Sequence, residues 1–202
     1  MNGAPFDSQF QVLFDAANNK ETTVENFKVQ LDADVGKGFL IDQKNDNKDH
    51  PHTSAYSLLG WAAGAGNLEI VKLLVEEKDA NIEGDASESE NSPLYRACAY
   101  NHPDIVTYLI SKGANINRKN SNGLTCLHIA SYNNYSDIVK ILLDKGANIN
   151  AVDNNQNTPL IYAVKNASDK TTSQLLARDP PPNIDLKNTK GQTALSLSLI
   201  HI

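Results

Sequence analysis

Cysteine is scarce: Cys98 and Cys126 are the only two in 202 residues, and both fall inside apolar helical patterns. A small secreted scaffold held by disulfides carries more of them, in loops, so that class is excluded. Positive charge is also short. The 18 Lys and Arg are outnumbered by 24 Asp and Glu, which leaves a net charge of −6. Such a chain has no general basic field to gather phosphates, so neither nucleic acid nor an anionic membrane surface is the expected partner. No window approaches the roughly 20 apolar residues of a bilayer-spanning helix. The start, "MNGAPFDSQFQVLF", lacks a basic region leading into a long apolar run, so no secretory signal is read there. The expected location is cytoplasmic, with the nucleus as the alternative. The Asn-x-Ser sequences at Asn134 and Asn166 are then chance matches to a glycosylation pattern.

Catalytic and ligand-binding signatures are missing as well. The glycines of "GWAAGAG" lie inside a helix pair rather than after a strand, so they do not form a nucleotide loop. The acidic "EGDASESE" lacks the spaced ligands of a calcium loop and reads as a solvated finger. His50 and His52 flank Pro51 without further ligands at metal spacing. Nothing cationic is placed by sequence to activate Cys98 or Cys126, so both read as small buried residues. His102, opening "HPDIV", is expected to satisfy a helix end. No cofactor, metal or catalytic residue is expected, and the chain is not read as an enzyme.

What the sequence does hold is a repeat. Leu94 of "SPLYRA", Leu127 of "TCLHIA" and Leu160 of "TPLIYA" stand 33 residues apart, and Leu59 and Leu195 join the register with an offset of two. An alanine follows three residues later at Ala62, Ala97, Ala130 and Ala163. An Ile-Val pair begins eleven residues later at Ile70, Ile105 and Ile138. The tails read "DANIE", "GANIN", "GANIN" and "PNIDL". Leu-x-x-Ala puts a large and a small residue on one helix face. Ile-Val-x-x-Leu-Leu buries a stripe of a second helix. Ser92, Thr125, Thr158 and Thr193 are candidate helix caps, with Pro93 and Pro159 at the first helical position. Gly113 and Gly146 are placed to stop the second helices. Helix pairs are therefore expected from about Ser57, Ser92, Thr125 and Thr158, with turns near 84–91, 118–124 and 151–157.

This pattern resembles the ankyrin repeat, and "NGLTCLHIASYNNYSDIVKILLDKGANIN" follows that motif nearly end to end. The resemblance covers roughly residues 57 to 196. It implies an all-α fold: a solenoid of stacked helix-turn-helix units with β-hairpin-like connecting fingers. Units are read near 57–91, 92–124, 125–157 and 158–192, with a truncated unit at 193–202. Residues 1–56 are read as a degenerate capping repeat on Phe10, Leu13, Phe14, Ala17, Val24, Phe27 and Leu31, with a polar insertion at about 32–56. Cys126, Asn134 and Gln156 depart from the motif, replacing a proline, a helix-linking glycine and a turn glycine. The unit from Thr158 has a polar start to its second helix, which is expected to be short or distorted. The resemblance also gives His128 a structural role, bonded to the cap hydroxyl of Thr125. Trp61, in place of a mostly buried leucine, is expected to pack between units.

The resemblance implies protein binding on the concave side. The finger positions there are Glu88, Ser89, Asn91, Ser121, Asn122, Leu124, Asn154, Asn155 and Asn157. The helix positions are Ala99, Tyr100, Tyr132, Asn133, Lys165 and Asn166, with Tyr100 and Tyr132 read as one aromatic patch. The partner is a protein of unknown identity, and the chain is expected to be a monomer or part of a longer chain. Two other readings stay open: the substrate-recognition arm of a ubiquitin ligase, and the regulatory part of a longer enzyme. The last six residues, "LSLIHI", are also what a widely used transposon-end sequencing adapter encodes. The expectation is that Leu197 to Ile202 are adapter-encoded and that the natural protein continues.

Overall fold

The computed structural model describes residues 15–17, 19, 23–35, 57–84 and 91–198. Among them it contains ten helices with described bounds, further helical residues at 15–17, and no strand. These are α1 (Val24–Val35), α2 (Leu58–Ala65), α3 (Leu68–Glu76), α4 (Pro93–Ala99), α5 (Pro103–Ser111), α6 (Cys126–Tyr132), α7 (Ser136–Asp144), α8 (Pro159–Lys165), α9 (Asp169–Leu176) and α10 (Ala194–Ser198). Glu88, Ser89, residues 36–56 of the polar insertion with His50 and His52, the Phe10–Phe14 stretch and residues 199–202 lie outside the described residues, while residues 32–35, read as the start of that insertion, continue α1.

Each unit starts on its predicted cap. The Oγ of Ser92 accepts the Tyr95 N–H at 3.1 Å, and Oγ1 of Thr158 accepts the Ile161 N–H at 3.2 Å. Ser57 does the same for Gly60 at 3.2 Å. Such a cap satisfies one of the orphan amides of a helix start and is worth about 1 kcal/mol. The second helices stop where the glycines were expected, since Gly113 and Gly146 adopt φ of 95° and 87° just past α5 and α7.

Packing follows the repeat register. Leu59, Leu94, Leu127 and Leu160, the four alanines three residues on, and Ile70, Ile105 and Ile138 are all buried in one continuous core. Complete burial of each large aliphatic side chain is worth about 1.5–3 kcal/mol. The alanines leave room for the next unit to approach closely. At the N-terminal end α1 packs against α3 and sends Phe27 and Leu31 into the same core, where Ala17 joins them. Lys28–Glu77 and Lys78–Asp32 ion pairs flank that contact.

One expectation is met in part: the second helix of the unit from Thr158 is shorter than its counterparts but not distorted. Helix α9 is regular and eight residues long, one fewer than α5 or α7. Its polar first turn is satisfied by the preceding unit rather than strained. The buried Thr171 hydroxyl donates to the Ser131 carbonyl at 3.2 Å, and the Thr171 N–H reaches Oδ1 of Asn134 at 3.2 Å. His102 also acts across units: Nε2 lies 3.0 Å from the Gly64 carbonyl, in the last turn of α2, and its own side chain does not cap α5.

Candidate functional site

Curvature comes from unequal packing of the two helix rows. The first helices α2, α4, α6 and α8 contact one another more extensively than α3, α5, α7 and α9 do. A stack bends toward its tighter row, so the first helices and the fingers line the concave side. The residues on that side are read most easily two, five and six positions after the register leucine. They are Trp61, Arg96, Ile129 and Tyr162; Gly64, Ala99, Tyr132 and Lys165; and Ala65, Tyr100, Asn133 and Asn166.

Between the units that begin at Thr125 and Thr158 lies an apolar notch of about 170 Å³, lined by Leu124, His128, Ile129, Tyr132 and Tyr162. Tyr132 meets Tyr162 edge to face, with ring centroids 6.1 Å apart and planes at 80°. Tyr162 meets His128 in the same way at 5.6 Å and 88°. Edge-to-face contacts are the favoured geometry for aromatic quadrupoles. Tyr132 is 42% exposed, so one wall of the notch faces solvent.

The floor of the notch is held by a polar network. The Tyr162 hydroxyl donates to Oδ2 of Asp153 at 2.9 Å. Burial, and then the Asp153 carboxylate, push the Tyr162 phenol up to about 12, so it stays a protonated donor. Burial alone would raise the Asp153 carboxyl. Bonds from the Asn157 amide and backbone N–H, the Tyr162 hydroxyl and the Asn155 N–H outweigh it and hold the acid below its usual range. The buried His128 ring is pushed down to about 4, chiefly by desolvation, and is neutral at pH 7. Its tautomer follows from its partners. Nδ1 accepts the Thr125 N–H at 3.1 Å, so the proton sits on Nε2, which donates to the Asn157 carbonyl at 3.0 Å. The Thr125 hydroxyl lies 2.9 Å from Nδ1, the local bond expected of this histidine.

The described finger residues divide into four groups. Ser121, Asn122, Asn154 and Asn155 are exposed at the tips. They link neighbouring fingers: the Ser121 carbonyl accepts Nδ2 of Asn154 at 2.8 Å, the Asn122 carbonyl accepts the Asn154 N–H at 3.0 Å, and the Asn155 carbonyl accepts the Thr189 N–H at 2.9 Å. Asn91 is half-buried and its Oδ1 takes Nδ2 of Asn120 at 2.9 Å. Asn157 is buried, and its Oδ1 accepts Lys165 Nζ and Nδ2 of Asn188, each at 3.0 Å. Its side chain belongs to the interior rather than to the finger surface. Leu124 forms part of the notch.

The two tyrosines are separated by their local partners. Tyr100 is 58% exposed, and the Arg96 guanidinium carbon stands 5.4 Å from its ring centroid and 4.8 Å from that of Trp61. Arg96 fits between the rings because Gly64 has no side chain; a Cβ there would meet the guanidinium at 2.7 Å. Trp61 is thus buried between units as expected, with a cation over its face. Tyr132, by contrast, builds its patch with Tyr162. Asn133 caps α6 and is half-buried, and Lys165 is exposed at the end of α8. Tyr162 is the residue that sequence reasoning missed. Its signal was its place two residues after Leu160, the row that also holds Trp61 and Arg96.

Cys98 and Cys126 are both buried thiols. Burial, and then the neighbouring Cys126, push the Cys98 thiol well up, away from the reactive thiolate. Among the described residues no group of three or more His, Cys, Asp or Glu could hold a metal, and no helix is long and apolar enough to cross a membrane.

A curved stack of capped helix pairs, joined by interlocked fingers and open on one concave face, defines a repeat-type interaction scaffold. The family pattern for ankyrin repeats in three copies matches residues 13–120, and that for ankyrin repeats in many copies matches residues 109–163. The chain belongs to the ankyrin-repeat family, whose repeats are a generic protein-interaction module. It is 40% identical over 86 residues to protein phosphatase 1 regulatory subunit 27 of Mus musculus, covering 43% of this chain and 54% of that protein. It is 33% identical over 129 residues to ankyrin repeat and SOCS box protein 16 of the same species, covering 61% of this chain and 25% of that protein. It is 41% identical over 69 residues to alpha-latrotoxin-Lh1a of Latrodectus hasselti, covering 34% of this chain and 5% of the toxin. The chain thus spans at most about half the length of these relatives.

Proposed function

We propose that this protein is a non-catalytic binding module whose concave face docks a protein partner, with the Tyr132–Tyr162 notch as the anchor point. The observation that carries the reading is the pairing of an apolar hollow of about 170 Å³ with a rigid polar floor. Such a hollow has the size of one apolar side chain. Its walls are set by hydrogen bonds inside the chain, so little ordering is needed when a partner arrives. The exposed tip residues Ser121, Asn122 and Asn155 supply the rim in this reading, where polar contacts exclude water and contribute little individually.

The relatives support a regulatory setting. One is by name a regulatory subunit, another carries a SOCS box, and a third of Malus hupehensis carries a BTB/POZ domain. A second reading follows: the array is the recognition arm of a larger assembly, including one that delivers substrates to a ubiquitin ligase. The concave anchor is the same in both. The test is affinity capture on the whole chain, followed by titration of each captured protein against wild type and Tyr132→Ala. A loss of about thirtyfold or more, as for a typical anchor, supports the reading. Equal affinity for both places the contact elsewhere.

A further inference from the structure

Charge is distributed unevenly between the two sides of the stack. Among the described residues from 91 to 198, Asp153 is the one acid on the fingers and first helices. Its carboxylate is buried and already engaged: Oδ1 accepts the Asn155 and Asn157 N–H groups, and Oδ2 accepts Nδ2 of Asn157 and the Tyr162 hydroxyl. The same fingers and helices carry four exposed lysines, Lys119, Lys165, Lys187 and Lys190. None of the four forms an ion pair among the described residues, whereas Lys140 and Arg178 on the second row share Asp144.

Two of these lysines meet beside the notch. The finger 151–157 closes at its neck, where the Asp153 N–H donates to the Asn157 carbonyl at 3.0 Å. Lys119 Nζ donates to the Val152 carbonyl at 2.7 Å at the start of that neck, and Lys165 Nζ to Oδ1 of Asn157 at 3.0 Å at its end. The Asn157 carbonyl is also the acceptor of His128, which lines the notch. Burial first, and then the Lys119 charge, disfavour a proton on His128, so the field of Lys119 reaches the notch wall. An ammonium has three N–H donors, and each of these two gives one to the chain among the described residues. Lys187 precedes the finger-folding Asn188 as Lys119 precedes Asn120, and continues the row one finger further on.

We propose that the segment docked at the notch is acidic: an apolar side chain fills the hollow, and carboxylates within one or two residues of it meet Lys119 and Lys165. This rests on the concave anchor proposed above and adds the partner's charge. A peptide fits better than a phosphate chain, because the hollow is apolar and takes one side chain, and because a net charge of −6 repels a long polyanion. Exposed cations act mainly on encounter rate and on the choice of partner, and salt screens them. A segment with lysine or arginine beside its anchor is rejected by like charge.

The test pans a displayed library of random twelve-residue peptides on the whole chain. Enriched peptides are then titrated at about 50 and about 500 mM salt. The proposal expects Asp or Glu within two residues of an apolar anchor, and a loss of about thirtyfold with Tyr132→Ala. It expects a loss of about fivefold with each of Lys119→Gln and Lys165→Gln at low salt, little of it at high salt, and none with Lys165→Arg, which keeps the charge. Peptides that need Tyr132 but carry no excess of acids, or bind both glutamine variants as tightly as wild type, overturn the acidic segment and leave the anchor standing. So does a library that enriches nothing, since the partner is then a folded surface. A loss in the glutamine variants that persists at high salt is structural and also overturns the proposal. Peptides indifferent to Tyr132→Ala overturn both readings. A short single-stranded DNA that displaces the peptides at equal concentration assigns the lysines to phosphates instead. Tighter binding by a chain carrying Asp85→Asn, Glu88→Gln and Glu90→Gln assigns them to the chain's own acidic run; either result overturns a partner segment.

Discussion

The ring of His128 donates from Nε2 to the carbonyl of Asn157 at 3.0 Å, and through Nδ1 it also fixes the start of its own helix at Thr125. One neutral imidazole therefore joins the first helix of a unit to the turn that opens the next.

That role makes stability depend on pH. The His128 pKa falls from an ordinary value near 6.5 to about 4 in the folded chain, with burial as the main cause. Between those values the unfolded state binds a proton that the folded state does not, so stability rises with pH in this window. The contribution is complete above about pH 6.5 and is lost as pH falls through about 4. Its size is up to about 3 kcal/mol. Urea denaturation of wild type at pH 7 and pH 4.5 should show a fall of this order, and His128→Asn should flatten the difference. An unchanged slope in the variant would contradict the assignment.

Asp153 makes a second test of the floor. It is buried and accepts bonds from Asn155, Asn157 and Tyr162. Asp153→Ala orphans several donors at once and should cost about 2–4 kcal/mol in denaturant unfolding. Tyr162→Phe removes only one of these bonds and should cost about 1 kcal/mol.

Backbone conformation predicts changes of opposite sign. Gly66, Asn101, Asn134 and Ala167 occupy the same place between paired helices, all in the left-handed region. Gln156, with φ of 59°, is in the same state at the finger position of Gly123. An L side chain there costs roughly 1–2 kcal/mol. Ala167→Gly and Gln156→Gly should each stabilise by about 0.5–1 kcal/mol once glycine's extra unfolded-state entropy is deducted. Gly66→Ala should destabilise by more, since its Cβ would stand 2.4 Å from the His102 ring. Thermal melts of the three variants give the signs.

The fold was legible because its signals are periodic. Leucine, alanine and the Ile-Val pair recur at fixed offsets, and the capping hydroxyls stand immediately before the helices they start. The candidate site was legible only in part, because the residues that line the notch stand where the repeat does not repeat. Tyr132 was found as an exposed aromatic near a helix end, but its neighbour depends on the row two residues after the register leucine, which holds Trp, Arg, Ile and Tyr in turn. Periodicity is silent about such a row. Asn157 failed in the other direction. Its place in a turn suggested solvent, whereas its side chain closes a network with Asp153, Lys165 and Asn188 across two units. The polar start of α9 looked like a weakness for the same reason, since Thr171 finds its acceptor 40 residues away in Ser131.

The central claim is that partners dock on the concave face at the Tyr132–Tyr162 notch. Its most direct test is site-specific photo-crosslinking in cell extract, with a benzophenone amino acid at Tyr132 in one sample and at Lys140 in the other. Lys140 lies on α7 of the second row, and its side chain is 68% exposed. The account predicts a discrete crosslinked protein from position 132, absent from position 140, and lost when Ile129 is also changed to Asp to fill the notch with charge. A discrete product from position 140 and none from position 132 would contradict it.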